Sequence, residues 1–188
     1  SAGGSAVATV GSFAVIGSVF GIVTVFQLLE LANPSQPLLR RLLVETPGTY
    51  HHSLMVGNLA ERAAEAIGGD ALLARVAAYY HDIGKLSNPA AFIENQAGGD
   101  NVHDELDPET SAQLLKSHVS AGIDIAYKSG LPKALIAFIP QHHGTAVMSY
   151  FYARAKEQAA APFGGLETAE GRKAADSVDV RKFRHGGP

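Results

Sequence analysis

Between Glu45 and Ala160 apolar residues recur at the three- and four-residue spacing of helices, and nowhere there do they alternate as a half-buried strand requires. That pattern predicts an all-α domain. Thr46-Pro47-Gly48-Thr49 reads as a turn. The helix after it, His52 to Ile67, carries Leu54, Val56, Leu59, Ala63 and Ile67 and is ended by Gly68-Gly69. Asp70 is placed to cap a helix over Ala71 to His81, with Leu72, Leu73, Val76 and Ala77 turned inward. From Leu86 to Asp104 the periodicity fails among Pro89, Gly98, Gly99 and scattered polar residues, which predicts a loop. Asp107-Pro108-Glu109 supplies a capping carboxylate, a proline at the first helical position and an acid in the first turn. The helix it opens runs through Leu114, Leu115 and His118 toward Gly130. Leu131-Pro132 starts another, through Leu135, Ile136 and Ile139 to His142-His143. Ala146 to Ala160 forms the last, with Tyr150, Phe151 and Tyr152 on or near its buried side.

The two ends of the chain differ from this middle. No charged residue occurs from Ser1 to Leu29, and Val7 to Leu29 presents apolar and small residues on every face. A helix that spans a membrane needs about 20 such residues. A buried core helix is the alternative, but the length and the missing polar face argue against it. No basic stretch precedes the run, which argues against a signal peptide. Residues 1–33 are therefore expected to form a transmembrane helix in the cell (inner or plasma) membrane. Arg40 and Arg41 place the part that follows on the cytoplasmic side. Asn33-Pro34 to Pro37 breaks the span, and Leu38 to Val44 is a short amphipathic connector, so that 34–48 forms a juxtamembrane segment. Beyond Ala161 the composition turns to Gly, Ala and mixed charge, and 161–188 reads as a flexible, truncated segment.

A formal net charge of −3 gives no basic footprint for a nucleic-acid polymer. The absence of cysteine excludes a disulfide framework and a thiolate zinc site. Eight histidines remain, and they are clumped as His51-His52, His81, His118 and His142-His143. His81-Asp82 closes the apolar helix before it. Consecutive helical side chains point about 100° apart, so such a doublet does not aim both groups along one vector but can straddle two metal ions, with the carboxylate bridging. The same holds for His142-His143. His52 and His118, each on a separate helix, would complete the walls of a site in a bundle core. Imidazole and carboxylate without thiolate suit iron or manganese, with zinc a further candidate. A pair of divalent ions clamps the oxygens of an in-line phosphoryl displacement.

Each of these residues also has a bland reading. A single histidine such as His118 is more often a satisfied core residue than a ligand, and a His-His doublet is common. His103 and His185 are read as ordinary loop histidines. One of His51 and His52 should face the site and the other solvent. Lys85 either complements a helix end or neutralises a substrate phosphate. The order His…His-Asp…His…His-His, spread over separate helices, is more specific than any of its parts.

At His52…His81-Asp82 the chain resembles the HD superfamily of metal-dependent phosphohydrolases. Four longer words narrow the resemblance to the bacterial seven-transmembrane HD-domain phosphodiesterases. They are Glu45-Thr46-Pro47-Gly48-Thr49-Tyr50-His51-His52-Ser53, Tyr79-Tyr80-His81-Asp82-Ile83-Gly84-Lys85, Phe92-Ile93-Glu94-Asn95-Gln96 and Gln141-His142-His143-Gly144-Thr145. The resemblance implies an HD-domain helical bundle over 49–160 and a hydrophobic run that is the last of several membrane spans. It also implies hydrolysis of cyclic di-AMP to the linear dinucleotide pApA at a binuclear metal centre. The implied metal ligands are His52, His81, Asp82, His118, His142 and His143, with His81, Asp82 and Lys85 catalytic and Lys85 on the substrate. The related class that carries Gly-Tyr-Pro after its paired histidines is disfavoured, because Gly144-Thr145-Ala146 stands there.

The resemblance implies one further aspartate ligand, in a helix after a turn that reads here Phe183-Arg184-His185-Gly186-Gly187-Pro188. Ala175-Asp176-Ser177-Val178 looks like that helix but precedes the turn, so Asp176 is read as a coincidence and the last ligand is expected beyond Pro188. Two other functions stay open at this point. One is an HD phosphohydrolase of another nucleotide, such as a nucleoside triphosphate or a guanosine alarmone. The other is a nucleotide-sensing module of a membrane receptor that binds without hydrolysis. The oligomeric state has no signature in the sequence.

Overall fold

The computed structural model describes residues 23–96, 98 and 101–188. Most of the expected membrane span, Val7 to Leu29, lies outside the described residues. No helix among those described is long and apolar enough to cross a membrane.

Every extended element described is helical. Helices α1 (Val25–Leu31) and α2 (Pro37–Glu45) lead into the long α3 (Pro47–Ala66) and its partner α4 (Ala71–Tyr80). Short 3₁₀ turns, the first over Ile83–Ser87, fill the stretch up to α5 (Pro108–Lys128). A single turn, α6 (Lys133–Ile136), precedes α7 (Ser149–Ala160) and α8 (Ala169–Asp176). The core is built on α2 and α4: Leu39, Leu42, Val76 and Tyr80 pack with Ile83, Leu135 and Ile139. A smaller cluster joins Ala112, Phe151 and Phe183.

The caps follow local chemistry. The Asp70 carboxylate accepts from the Leu73 amide at 2.9 Å, and Asp107 accepts from the amides of Glu109 and Thr110 at 3.0 Å. Gly68, at φ 72°, takes the left-handed conformation that ends α3, and the Gly69 amide closes on the Ala64 carbonyl at 2.7 Å.

Several boundaries depart from the sequence reading. Thr46-Pro47-Gly48-Thr49 is not a turn, because α3 begins at Pro47. Proline at the first helical position loses an N–H that would be unpaired there and brings a ready-made φ. The buried face of α3 is Thr49, Tyr50, Ser53 and Gly57, whereas Leu59 is 67 % exposed. Small residues win that face because α4 packs close against it: a methyl at Gly57 would meet the ring of Tyr79. The helix expected from Leu131 to His143 is a single turn followed by non-helical turns, since Pro140 cannot continue the ladder and disfavours helix at Ile139. Tyr150 is exposed and only Phe151 of the aromatic triplet is buried.

Residues 161–188, expected to be flexible, are built into the domain. Thr168 caps α8 by accepting from the Gly171 amide, and Phe183 is 1 % exposed. Val147 and Arg184 form an antiparallel bridge, with the Met148 amide donating to the Phe183 carbonyl at 2.9 Å. This pairing takes residues 146–148 out of α7, which therefore starts at Ser149 and not at Ala146.

Candidate metal centre

Asp82 and His118 meet because two backbones approach closely. After α4 the chain turns through His81 and Asp82 into the 3₁₀ segment, where Gly84 lies against α5. A methyl group on Gly84 would overlap the His118 carbonyl. Only glycine allows this approach, which sets the carboxylate of one segment beside the imidazole of the other.

Asp82 is the hub, 2 % exposed. Its Oδ2 lies 2.8 Å from Lys85 Nζ and 3.1 Å from His81 Nε2. Its Oδ1 lies 3.4 Å from His118 Nε2 and 3.5 Å from His142 Nε2. His118 Nε2 is 3.2 Å from His143 Nε2 and 3.5 Å from His142 Nε2. Potential ligand atoms thus fall into two groups, His52 with His81 and Asp82, and Asp82 with His118, His142 and His143, each within 4.8 Å of one another. Asp82 belongs to both.

Ring orientation settles which nitrogen faces inward. His81 donates Nδ1–H to the Ala78 carbonyl at 2.6 Å, and His142 donates to the Ile139 carbonyl at 2.7 Å. His118 does the same with the Leu115 carbonyl. A carbonyl only accepts, so in each neutral ring the proton sits on Nδ1 and the lone pair on Nε2. His118 and His142 therefore turn lone pairs toward each other with no proton to share. Asp82 Oδ1 is buried without a hydrogen-bond partner. Converging lone pairs and an orphaned carboxylate oxygen are unfavourable by themselves and are what a divalent cation would satisfy. The donor set fits iron, manganese or zinc, with all nitrogen and oxygen ligands.

The electrostatics agree with ligands held ready. Burial pushes the Asp82 carboxyl up, but hydrogen bonding from the imidazoles of His118, His142 and His81, in the form that carries a proton on Nε2, outweighs it and holds the group well below the usual range. Burial, with His142, His185 and His118 nearby, pushes His143 down to about 3. Burial and the neighbouring His81 also lower His52. Both rings are thereby neutral near pH 7, the form that binds metal. Burial lowers Lys85, yet Asp82 and Glu94 outweigh it and raise the ammonium above its ordinary value.

A cleft of about 460 Å³ opens on the group. Its lining combines His52, His81, Asp82, Lys85, His142 and His143 with the apolar Val56, Ala74, Ala77 and Phe138. Lys85 is not a free cation: Glu94 Oε1 accepts from its Nζ at 2.7 Å, opposite Asp82. Glu94 also accepts from Thr49 Oγ1, and Asn95 Oδ1 accepts from the Thr49 amide at 3.0 Å, which ties this segment to the start of α3.

The six ligands expected within the chain, His52, His81, Asp82, His118, His142 and His143, fall in the two groups. Both members of the His51-His52 pair are exposed, but only His52 belongs to a group, so it is the one facing the cluster. His103 is buried away from it, donating Nε2–H to the Ala91 carbonyl at 2.8 Å. Asp176 is surface-exposed and paired with Lys156, outside both groups. Two participants carried no assigned role in the sequence reading. Glu94 was visible only inside a family word, and nothing local marks it as the partner of Lys85. His185, read as an ordinary loop residue, stacks on His143 with centroids 4.0 Å apart and planes at 24°.

The family profile described as HD domain matches residues 49–179. The chain is 46 % identical over 169 residues to the cyclic-di-AMP phosphodiesterase PgpH of Bacillus subtilis, covering 90 % of this chain and 22 % of that protein. It is 47 % identical over 154 residues to the PgpH of Listeria monocytogenes, covering 82 % of this chain and 21 % of that protein. The chain thus spans about a fifth of the length of the curated relatives it matches. The crystal structure of the Listeria PgpH HD domain in complex with cyclic-di-AMP aligns with a TM-score of 0.70 at 43 % identity, over 84 % of this chain and 66 % of that one.

Proposed function

We propose a function from the premise that this chain belongs to the HD domain family. The reading is a metal-dependent phosphodiesterase that opens a cyclic dinucleotide, cyclic di-AMP, to the linear dinucleotide. The observation that carries it is the orphaned Asp82 Oδ1 facing Nε2 atoms whose protons are committed to backbone carbonyls. The substrate class rests on the two similar phosphodiesterases and on the ligand of the aligned HD domain.

One ion would be held by His52, His81 and Asp82, and a second by Asp82, His118, His142 and His143. Such a pair supplies Lewis-acid activation of water and of the phosphoryl oxygens. The protein's own contribution is orientation and charge. The carbonyls of Ala78, Leu115 and Ile139 lock three rings with Nε2 inward, so no side chain need reorganise. Lys85, kept protonated by Asp82 and Glu94, holds a positive charge at the cleft wall, where a phosphate would lie. The small side chains of Ala74 and Ala77, with Phe138, give the lining an apolar part suited to a nucleobase. The reading includes attachment to a membrane through the apolar run before residue 30, with the domain on the cytoplasmic side.

The test is the protein loaded with Mn²⁺ or Fe²⁺ and incubated with cyclic di-AMP. The linear dinucleotide should form, and Asp82→Ala should abolish it while the helical circular dichroism persists. Binding without any product would favour a sensing module, and faster turnover of another nucleotide in competition would reassign the substrate.

A further inference from the structure

We propose that His185 is a positioning residue whose imidazole, stacked on His143, keeps the Nε2 of that ring aimed at the metal cluster. This rests on the metal-centre reading above and extends it to a residue outside the ligand groups. Around His118, the rings of His118 and His142 are each fixed by an Nδ1–H donated to a carbonyl three residues back. Among the described residues no backbone carbonyl holds the ring of His143 in this way; its Nε2 contacts His118 Nε2 at 3.2 Å. Its orientation is instead set by ring contacts. The His142 ring is tilted against it, centroids 3.9 Å apart at 44°, and His185 is stacked at 4.0 Å and 24°.

The backbone explains how His185 comes to be there. The Met148 amide donates to the Phe183 carbonyl at 2.9 Å, the His185 amide to Ala146 at 2.9 Å, and the Gly187 amide to Gly144 at 3.0 Å. Phe183 is buried in the smaller core cluster and fixes one end of this ribbon. The loop that follows His142-His143 and the segment bearing His185 are therefore paired residue by residue, and the stacked ring is carried along with the ligand it supports. A half-buried imidazole in contact with two neighbouring rings keeps few rotamers, so less freedom is lost when a cation binds.

The experiment is calorimetric titration of the metal-free full chain with Mn²⁺. His185→Ala should weaken binding by about 10- to 100-fold, the range typical of groups that orient a ligand. The urea midpoint of the metal-free variant should stay close to that of the unsubstituted protein. His185→Phe keeps a flat ring without a nitrogen and should restore binding close to the original affinity, which a general loss of stability would not predict. Unchanged affinity in His185→Ala overturns the proposal while leaving the metal centre intact, and so does a His185→Phe variant as weak as the alanine one. Absence of Mn²⁺ binding by the unsubstituted protein would instead bring down the metal reading itself.

Discussion

At the scale of single residues, the chemistry depends on where each proton is kept. The imidazoles of His81, His118 and His142 keep their proton on Nδ1, because a carbonyl three residues back accepts a hydrogen bond from that N–H. That contact is available to a histidine on or beside a helical turn, so the local fold creates the ligand tautomer. Tyr80 shows the same principle away from the cluster. Its hydroxyl donates to the Leu31 carbonyl at 2.7 Å, and burial raises the phenol well above its ordinary value. The folded state therefore keeps this proton at a pH where the unfolded chain has lost it. The stability it contributes is complete below about pH 10 and falls as pH rises beyond it. Tyr80→Phe should cost about 1 kcal/mol near neutral pH through the lost hydrogen bond. The variant should also lose less stability than the unsubstituted protein on going to about pH 11. Urea midpoints at the two pH values measure both effects.

At the scale of elements, the site depends on how near two backbones come. The 3₁₀ segment Ile83–Ser87 and α5 touch through Gly84, with Gly122 on the facing turn. A methyl at residue 84 meets backbone, which has no rotamer to move into. Gly84→Ala should therefore cost about 1–3 kcal/mol, the range for overpacking, read as a lower urea midpoint. Because the displaced partner is the His118 carbonyl, Mn²⁺ affinity should fall with it, as a calorimetric titration would show. The face of α3 teaches a related lesson. Helical spacing of Leu54, Val56 and Leu59 marked a helix correctly, yet Leu54 and Val56 are only half-buried and Leu59 is exposed. Close packing against α4 selected Ser53 and Gly57 instead, because the narrower side chains let the two axes approach.

At the scale of the whole molecule, residues 161–188 pack into the domain and bring His185 to the histidine cluster. Composition alone predicted a flexible segment, yet α8 is capped by Thr168 and Phe183 fills a pocket beside Ala112 and Phe151. Phe183→Ala should cost about 3–5 kcal/mol, measured by urea unfolding. It should also loosen the ribbon that carries His185, so Mn²⁺ binding weakens beyond what a remote cavity would cause. Helices, their caps at Asp70 and Asp107, and the residue types of the histidine and aspartate cluster were all legible in the order of amino acids. Those features depend on neighbours within one or two helical turns. The buried face of α3, the break after Ile136, the partnership of Lys85 with Glu94 and the stacking of His185 on His143 were decided only in three dimensions. Each depends on which distant segments come into contact, and a chain's periodicity records that a helix buries a face without recording what that face will meet.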